Sequence, residues 1–291
     1  MSLIENSLEK LRRAAGGTKT ATASALREPV AVLRKEATAD AEARYVHRRT
    51  SIDLAQLRAQ GYLPDPAQER AFADWCHRVK RPLIHRALLP GGPEEARTIL
   101  LTSALPGDGK TFVTLNLALS MARERDINVL LVDGDLPRAQ MSRLLGIERE
   151  PGLLNALRDE RLEVEHLVRE TNVSGLQLLS AGGPAESTTE LIASVRMQEI
   201  IAQLLDWNSR RLILFDSPPL LVSAEARALM SIPGQIVLVT RSGRTPQRAV
   251  VDAIAHIDKK KLQGLIINDA YVMNEHDYYD YNYSSETVSS R

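Results

Sequence analysis

Six short runs of almost uninterrupted apolar residues alternate with helix-period stretches between Arg97 and Asn268. The runs are Thr98–Ser103, Asn128–Asp133, Leu176–Ala181, Leu212–Asp216, Gln235–Thr240 and Leu262–Asn268. The stretches Thr111–Glu124, Glu190–Asp206, Ala224–Ser231 and Pro246–Lys259 carry apolar residues at helical spacing. A strand that is apolar on both sides of its pleat must be covered on both sides. The alternation therefore predicts a parallel sheet with helices on both faces.

With 291 residues, the chain holds one large α/β domain with flanking segments. Leu3, Ile4, Leu8 and Leu11 fall on one stripe, predicting an amphipathic helix over 1–13 suited to docking. Residues 14–64, rich in Ala and Thr in their first part, read as a flexible linker. A helix is expected from Asp65 to Arg81, closed by Pro82, leading into a domain that spans 65–270. Residues 271–291 are polar and read as a disordered tail. Aromatic residues make up only 4% of the chain, so it matters where they fall. Of seven tyrosines, Tyr271, Tyr278, Tyr279, Tyr281 and Tyr283 crowd this tail, where no core exists to bury them.

Several functions are disfavoured. Lys and Arg equal Asp and Glu at 37 each, so no global field draws in nucleic acid. The first 90 residues carry a basic excess and the remainder an acidic one, which suits attraction within or between copies. Cys76 stands alone, which excludes a disulfide framework and suits a reducing compartment. The six His lack zinc-ligand spacing. No apolar run approaches the roughly 18 residues that span a bilayer, and the N-terminus lacks a signal-peptide core. A cytoplasmic location is expected, with any membrane association made through a partner.

Three strand ends carry chemistry. The segment Ser103-Ala-Leu-Pro-Gly-Asp-Gly-Lys-Thr111 follows a predicted strand and opens a predicted helix, the context of a phosphate-binding loop. Gly107, Asp108 and Gly109 would turn backbone amides toward phosphates at the positive end of the new helix. Lys110 would reach the β- and γ-phosphates of ATP, and the Thr111 hydroxyl would ligate Mg²⁺. Ala104 stands where the strict pattern has Gly. The second strand end is Leu130-Leu-Val-Asp133-Gly-Asp135, and the third is Leu212-Ile-Leu-Phe-Asp216-Ser-Pro-Pro219. Acids at the C-terminal ends of parallel strands face the crevice where ligands bind. Asp135 and Asp216 are the candidate Mg²⁺ partners, and Asp133 the candidate group to hold or deprotonate an acceptor hydroxyl. Together these features predict a P-loop NTPase-type fold with a flexible N-terminal segment and a Tyr-rich tail.

This trio, followed by a tyrosine cluster, resembles the bacterial tyrosine kinases called BY-kinases, relatives of the partition and division-site ATPases. Met1-Ser-Leu-Ile-Glu, Leu8-Glu-Lys-Leu-Arg12, Val79-Lys-Arg-Pro-Leu83 and Glu225-Ala more narrowly resemble the tyrosine autokinases of exosortase-linked exopolysaccharide loci. The resemblance implies ATP-dependent autophosphorylation of the tail tyrosines between copies, in service of exopolysaccharide synthesis and export. It implies other protein tyrosine substrates and a membrane polysaccharide chain-length regulator as activator. It places Asn268 near adenine and assigns Arg78 and Arg81 to self-assembly. Two positions depart from the family: Pro137 stands where an Arg is usual, with Arg138 one later, and Trp75 replaces the Glu that precedes Arg78 and Arg81. The alternative is an ATPase switch of the partition type. Such proteins carry a Lys where this chain has Leu105, and lack a tyrosine tail. An inactive scaffold for an export complex is a third possibility.

Overall fold

The computed structural model describes residues 48–183, 185 and 187–270. The expected helix over 1–13, residues 14–47 of the expected linker, and the tail over 271–291 with its five tyrosines lie outside the described residues. In chain order the elements are β1 (Arg48–Thr50), α1 (Leu54–Ala59), α2 (Glu69–Ala87), β2 (Thr98–Ser103), α3 (Lys110–Met121) and β3 (Asn128–Asp133). Then come α4 (Gln140–Leu144), α5 (Leu153–Arg158), β4 (Arg169–Thr171), β5 (Leu176–Leu179), α6 (Thr189–Ile192) and α7 (Val195–Trp207). The last are β6 (Arg211–Asp216), α8 (Ala224–Leu229), β7 (Gln235–Arg241), α9 (Gln247–Ala255) and β8 (Leu262–Asn268).

The strands form one sheet in the order β1-β4-β5-β3-β6-β2-β7-β8. Every ladder is parallel except β4 with β5. That exception follows from connection length. Only residues 172–175 separate the two strands, too few for the crossover a parallel pair needs. Along the apolar runs the side chains sort by parity. Ile99, Leu101, Leu212 and Leu214 join one core layer with α2 and α3, while Leu100, Ile213 and Phe215 join the other with α5, α7 and α9. The uninterrupted apolar character thus reflects two buried faces, as expected.

Two sequence expectations change. Residues 48–63, expected as flexible linker, are built into the fold. β1 pairs with β4, Asp53 caps α1 by accepting from the Gln56 amide at 2.9 Å, and Leu57 is buried. The Asn172 side chain brackets Ile52, accepting from its amide and donating to its carbonyl. A three-residue strand and a six-residue helix are too short to leave a periodic trace. The helix expected to end before Pro82 instead continues as α2 to Ala87. Pro82 is exposed, so water can satisfy the carbonyl that loses its partner. Leu83 and Ala87 are buried beyond it, and the Leu83 carbonyl accepts from Gln235 at 3.0 Å, which anchors the extra turns to the sheet.

Candidate functional site

Adjacent strands β3, β6 and β2 bring their C-terminal ends to one corner. Asp133 and Asp216 are register partners across β3 and β6. Gly134 lets these ends approach, because its amide donates to the Asp216 carbonyl at 2.8 Å and a Cβ there would lie 2.9 Å from that same oxygen. From β2 the chain enters the loop 104–109 and turns into α3. Gly109 holds a left-handed φ of 90°, and a Cβ there would collide with the Asn268 side chain. Lys110 and Thr111 then form the first turn of α3, both buried.

Asp216 is fully buried and accepts from Thr111 Oγ1 at 2.8 Å and Thr114 Oγ1 at 3.3 Å. Asp133 accepts twice at Oδ2 from Ser142, from its amide and its hydroxyl, both at 2.7 Å. Its Oδ1 has one longer contact, the Asp135 amide at 3.2 Å. Asp135 differs from both, because its two carboxylate oxygens are buried without a hydrogen-bond partner. Burial pushes the Asp133 carboxyl up to about 7, helped by the neighbouring charge of Asp216 and opposed by Ser142. Burial likewise pushes Asp216 up to about 6, opposed by Lys110 and the Thr111 hydroxyl. Asp135 is also raised by burial, with Lys110 and then Arg138 opposing.

The corner fits a cation bound together with phosphates. Asp135 offers two unpartnered oxygens, and Lys110 lies close enough to Asp135 and Asp216 to act on both. Among the described residues no group of three His, Cys, Asp or Glu could hold a metal unaided. Mg²⁺ takes one or two protein carboxylates and completes its octahedron with water and substrate phosphate, and Asp135 and Asp216 could supply those carboxylates.

Asp133 and Asp216 bind protons more tightly in the folded ligand-free state than in the unfolded chain, whose carboxyls titrate near 3.9. Their contribution to stability is therefore full below about pH 4 and lost as pH rises through about 6 to 7. The melting temperature of ligand-free protein is expected to fall from pH 5.5 to 7.5 more steeply than that of the Asp133→Asn variant. Parallel profiles would remove the shift.

The expected site residues do not all meet. Gly107, Asp108, Gly109, Lys110 and Thr111 share the corner with Asp133, Asp135 and Asp216. Asn268 joins from β8, its amide donating to the Asp108 carbonyl at 3.1 Å. Arg78 and Arg81 lie apart, exposed on α2. Trp75 turns inward there, its ring 5.2 Å from Phe72, which meets Phe112 edge-on. Pro137 and Arg138 follow Asp135 in a turn closed by the Arg138 amide donating to the Asp135 carbonyl at 3.1 Å. Two residues in contact with the acids lie outside the sequence motifs. Thr114 lies one helical turn beyond Thr111, a spacing that could have flagged it. Ser142 arrives from α4, with no sequence signal linking it to Asp133.

A family model described as ParA: NUBPL iron-transfer P-loop NTPase matches residues 95–287. Tyrosine-protein kinase YwqD of Bacillus subtilis is 30% identical over 189 residues, covering 64% of this chain and 78% of that protein. The chain belongs to the bacterial tyrosine-kinase family of P-loop NTPases. Tyrosine-protein kinase wzc of Salmonella typhimurium is 28% identical over 218 residues, which cover 72% of this chain but only 29% of that longer relative. Among solved structures, the BceF tyrosine kinase domain superposes with a TM-score of 0.59 at 28% identity, covering 76% of this chain and 91% of that domain. The lone buried Cys76 offers no thiolate set for an iron–sulfur cargo. No helix among the described residues is long and apolar enough to cross a membrane.

Proposed function

We propose that the chain is an ATP-dependent protein-tyrosine kinase that phosphorylates its own C-terminal tyrosines. The observation that carries this reading is the acid pair of β3 beside the phosphate loop. Asp135 is unpartnered there, and Asp133 retains acceptor capacity at Oδ1. Amides of Gly107–Thr111 and the Lys110 ammonium would bind the β- and γ-phosphates. Thr111, Asp135 and Asp216 would hold Mg²⁺, which when bound neutralises phosphate charge. The tyrosine oxygen attacks the γ-phosphorus as the bridging bond to the β-phosphate breaks and ADP leaves. The phenol proton passes to Asp133 Oδ1, whose affinity near neutrality suits a general base. Catalysis of this type rests on positioning and charge.

The acceptors would be Tyr271, Tyr278, Tyr279, Tyr281 and Tyr283, the tyrosine cluster that follows the domain in sequence. Other protein tyrosines would serve as further substrates. The basic N-terminal third, with Arg78 and Arg81, would supply counter-charge for self-association. Activation by a membrane polysaccharide chain-length regulator, and a role in exopolysaccharide synthesis from the cytoplasm, extend the same proposal on the strength of the family resemblance.

Intact mass before and after phosphatase treatment tests the kinase reading. Losses in steps of one phosphate are expected. A single unchanged mass, with steady ATP hydrolysis, would favour the switch reading that the ParA-type match keeps in view. Transfer between copies has its own test. Lys110→Met chains with intact tails should become labelled by active chains lacking residues 271–291. Labelling confined to active chains with their own tails would mean transfer within one chain.

A further inference from the structure

The acids approach the phosphate loop from the β3 and β6 side of β2, whereas β7 lies on the other side. The end of β7 and the segment after it make two contacts with the phosphate loop from there that the reaction does not use. The Arg241 amide donates to Thr245 Oγ1 at 2.7 Å, and that hydroxyl donates onward to Asp108 Oδ1 at 2.7 Å. Buried Asp108 uses its other oxygen to accept from the Leu105 amide at 3.0 Å, closing the loop on itself. The Arg241 guanidinium donates through Nη1 to the Gly107 carbonyl at 3.3 Å and pairs through Nη2 with Asp269 at 2.7 Å.

A phosphate-binding loop must present N–H groups and turn its carbonyls away. In a trans peptide the C=O and the next N–H point to opposite sides. Arg241 anchors the Gly107 carbonyl and Asn268 the Asp108 carbonyl, so the Asp108 and Gly109 amides are directed away from both anchors. We propose that Thr245 and Arg241 are positioning residues, a latch from β7 that fixes the loop's shape for a nucleoside triphosphate. This rests on the nucleotide-site reading above. Thr245 sets the loop through the Asp108 side chain, and Arg241 sets it through the Gly107 carbonyl.

The test measures ATP binding by calorimetry, and tyrosine phosphorylation, on the full chain. Wild type, Thr245→Val, Thr245→Ser and Arg241→Met are compared. The valine variant keeps the shape and loses a hydrogen bond to a carboxylate, so its Kd for Mg-ATP should rise about tenfold. KM for ATP should rise in step, while kcat at saturating ATP stays within about twofold and the melting temperature falls by only a few degrees. Thr245→Ser should restore wild-type affinity. Arg241→Met should weaken ATP about threefold, its longer contact being worth less. It serves as the decisive variant if Thr245→Val melts too low to assay. Unchanged affinity in the variants, a serine variant as weak as valine, or a loss confined to kcat would overturn the latch. Wild-type protein that binds no ATP would instead overturn the nucleotide reading beneath it.

Discussion

The Asp133→Asn variant is expected to bind Mg-ATP within a few-fold of wild type and to lose about 10²- to 10⁴-fold in tyrosine phosphorylation. The geometry separates the two effects. Lys110 and Thr111 stand on α3, and Asp135 and Asp216 have their own oxygens, so none of the proposed nucleotide contacts passes through Asp133. The amide keeps one oxygen for the two Ser142 donors but cannot take up a phenol proton. It also removes a carboxylate held up at about 7 by burial and by Asp216. Relative to wild type, the ligand-free variant should therefore gain on the order of a few kcal/mol above neutral pH, and much less at pH 5. Pairing the losses and gains matters. A variant merely misfolded would lose stability and ATP together. Quantitative labelling at the wild-type rate would move the base role to Asp135, and loss of ATP affinity equal to the loss of rate would make Asp133 a nucleotide-site residue.

How far the sequence carries depends on the range of the interaction concerned. The six apolar runs are legible because each is buried on both faces, and Ile99, Leu100 and Leu101 show why, alternating between two core layers without a polar break. The phosphate loop and both acidic strand ends are local patterns, so Lys110, Thr111, Asp133, Asp135 and Asp216 could be named before their meeting was seen. Contacts made across the fold leave no such trace. Ser142 reaches Asp133 only because α4 folds back over the end of β3, and Thr245 reaches Asp108 across 137 residues. Propensity also misleads where tertiary contacts outweigh it. Pro82 reads as a helix stop, yet α2 passes through it because buried side chains and Gln235 hold the far turn. Trp75, at a position the family fills with Glu, joins the Phe72–Phe112 cluster instead of projecting a charge. Any part of α2 in the proposed self-association would have to rest on Arg78 and Arg81 without that acid.

Lys110→Met should abolish tight Mg-ATP binding, with Kd rising at least about 100-fold. The ammonium would make charge-assisted contacts with the β- and γ-phosphates, worth roughly 1.5–3 kcal/mol each, and two such contacts account for that factor. Methionine keeps much of the apolar stem that packs in the first turn of α3, so the fold should survive. A second consequence separates this residue from a bystander. Lys110 is the first cation opposing the upward shifts of Asp135 and Asp216, so its removal leaves Asp216 without that cation and Asp135 with Arg138 alone. Both carboxyls should then hold their protons to higher pH. The fall in ligand-free stability should accordingly move upward along the pH axis compared with wild type. Calorimetric titration with Mg-ATP and thermal melts from pH 5.5 to 8.5 read the two effects on one sample. Unchanged ATP affinity would remove this loop from the nucleotide site. Lost affinity with an unmoved pH profile would keep Lys110 as a phosphate ligand but deny that it offsets the charge of the acids.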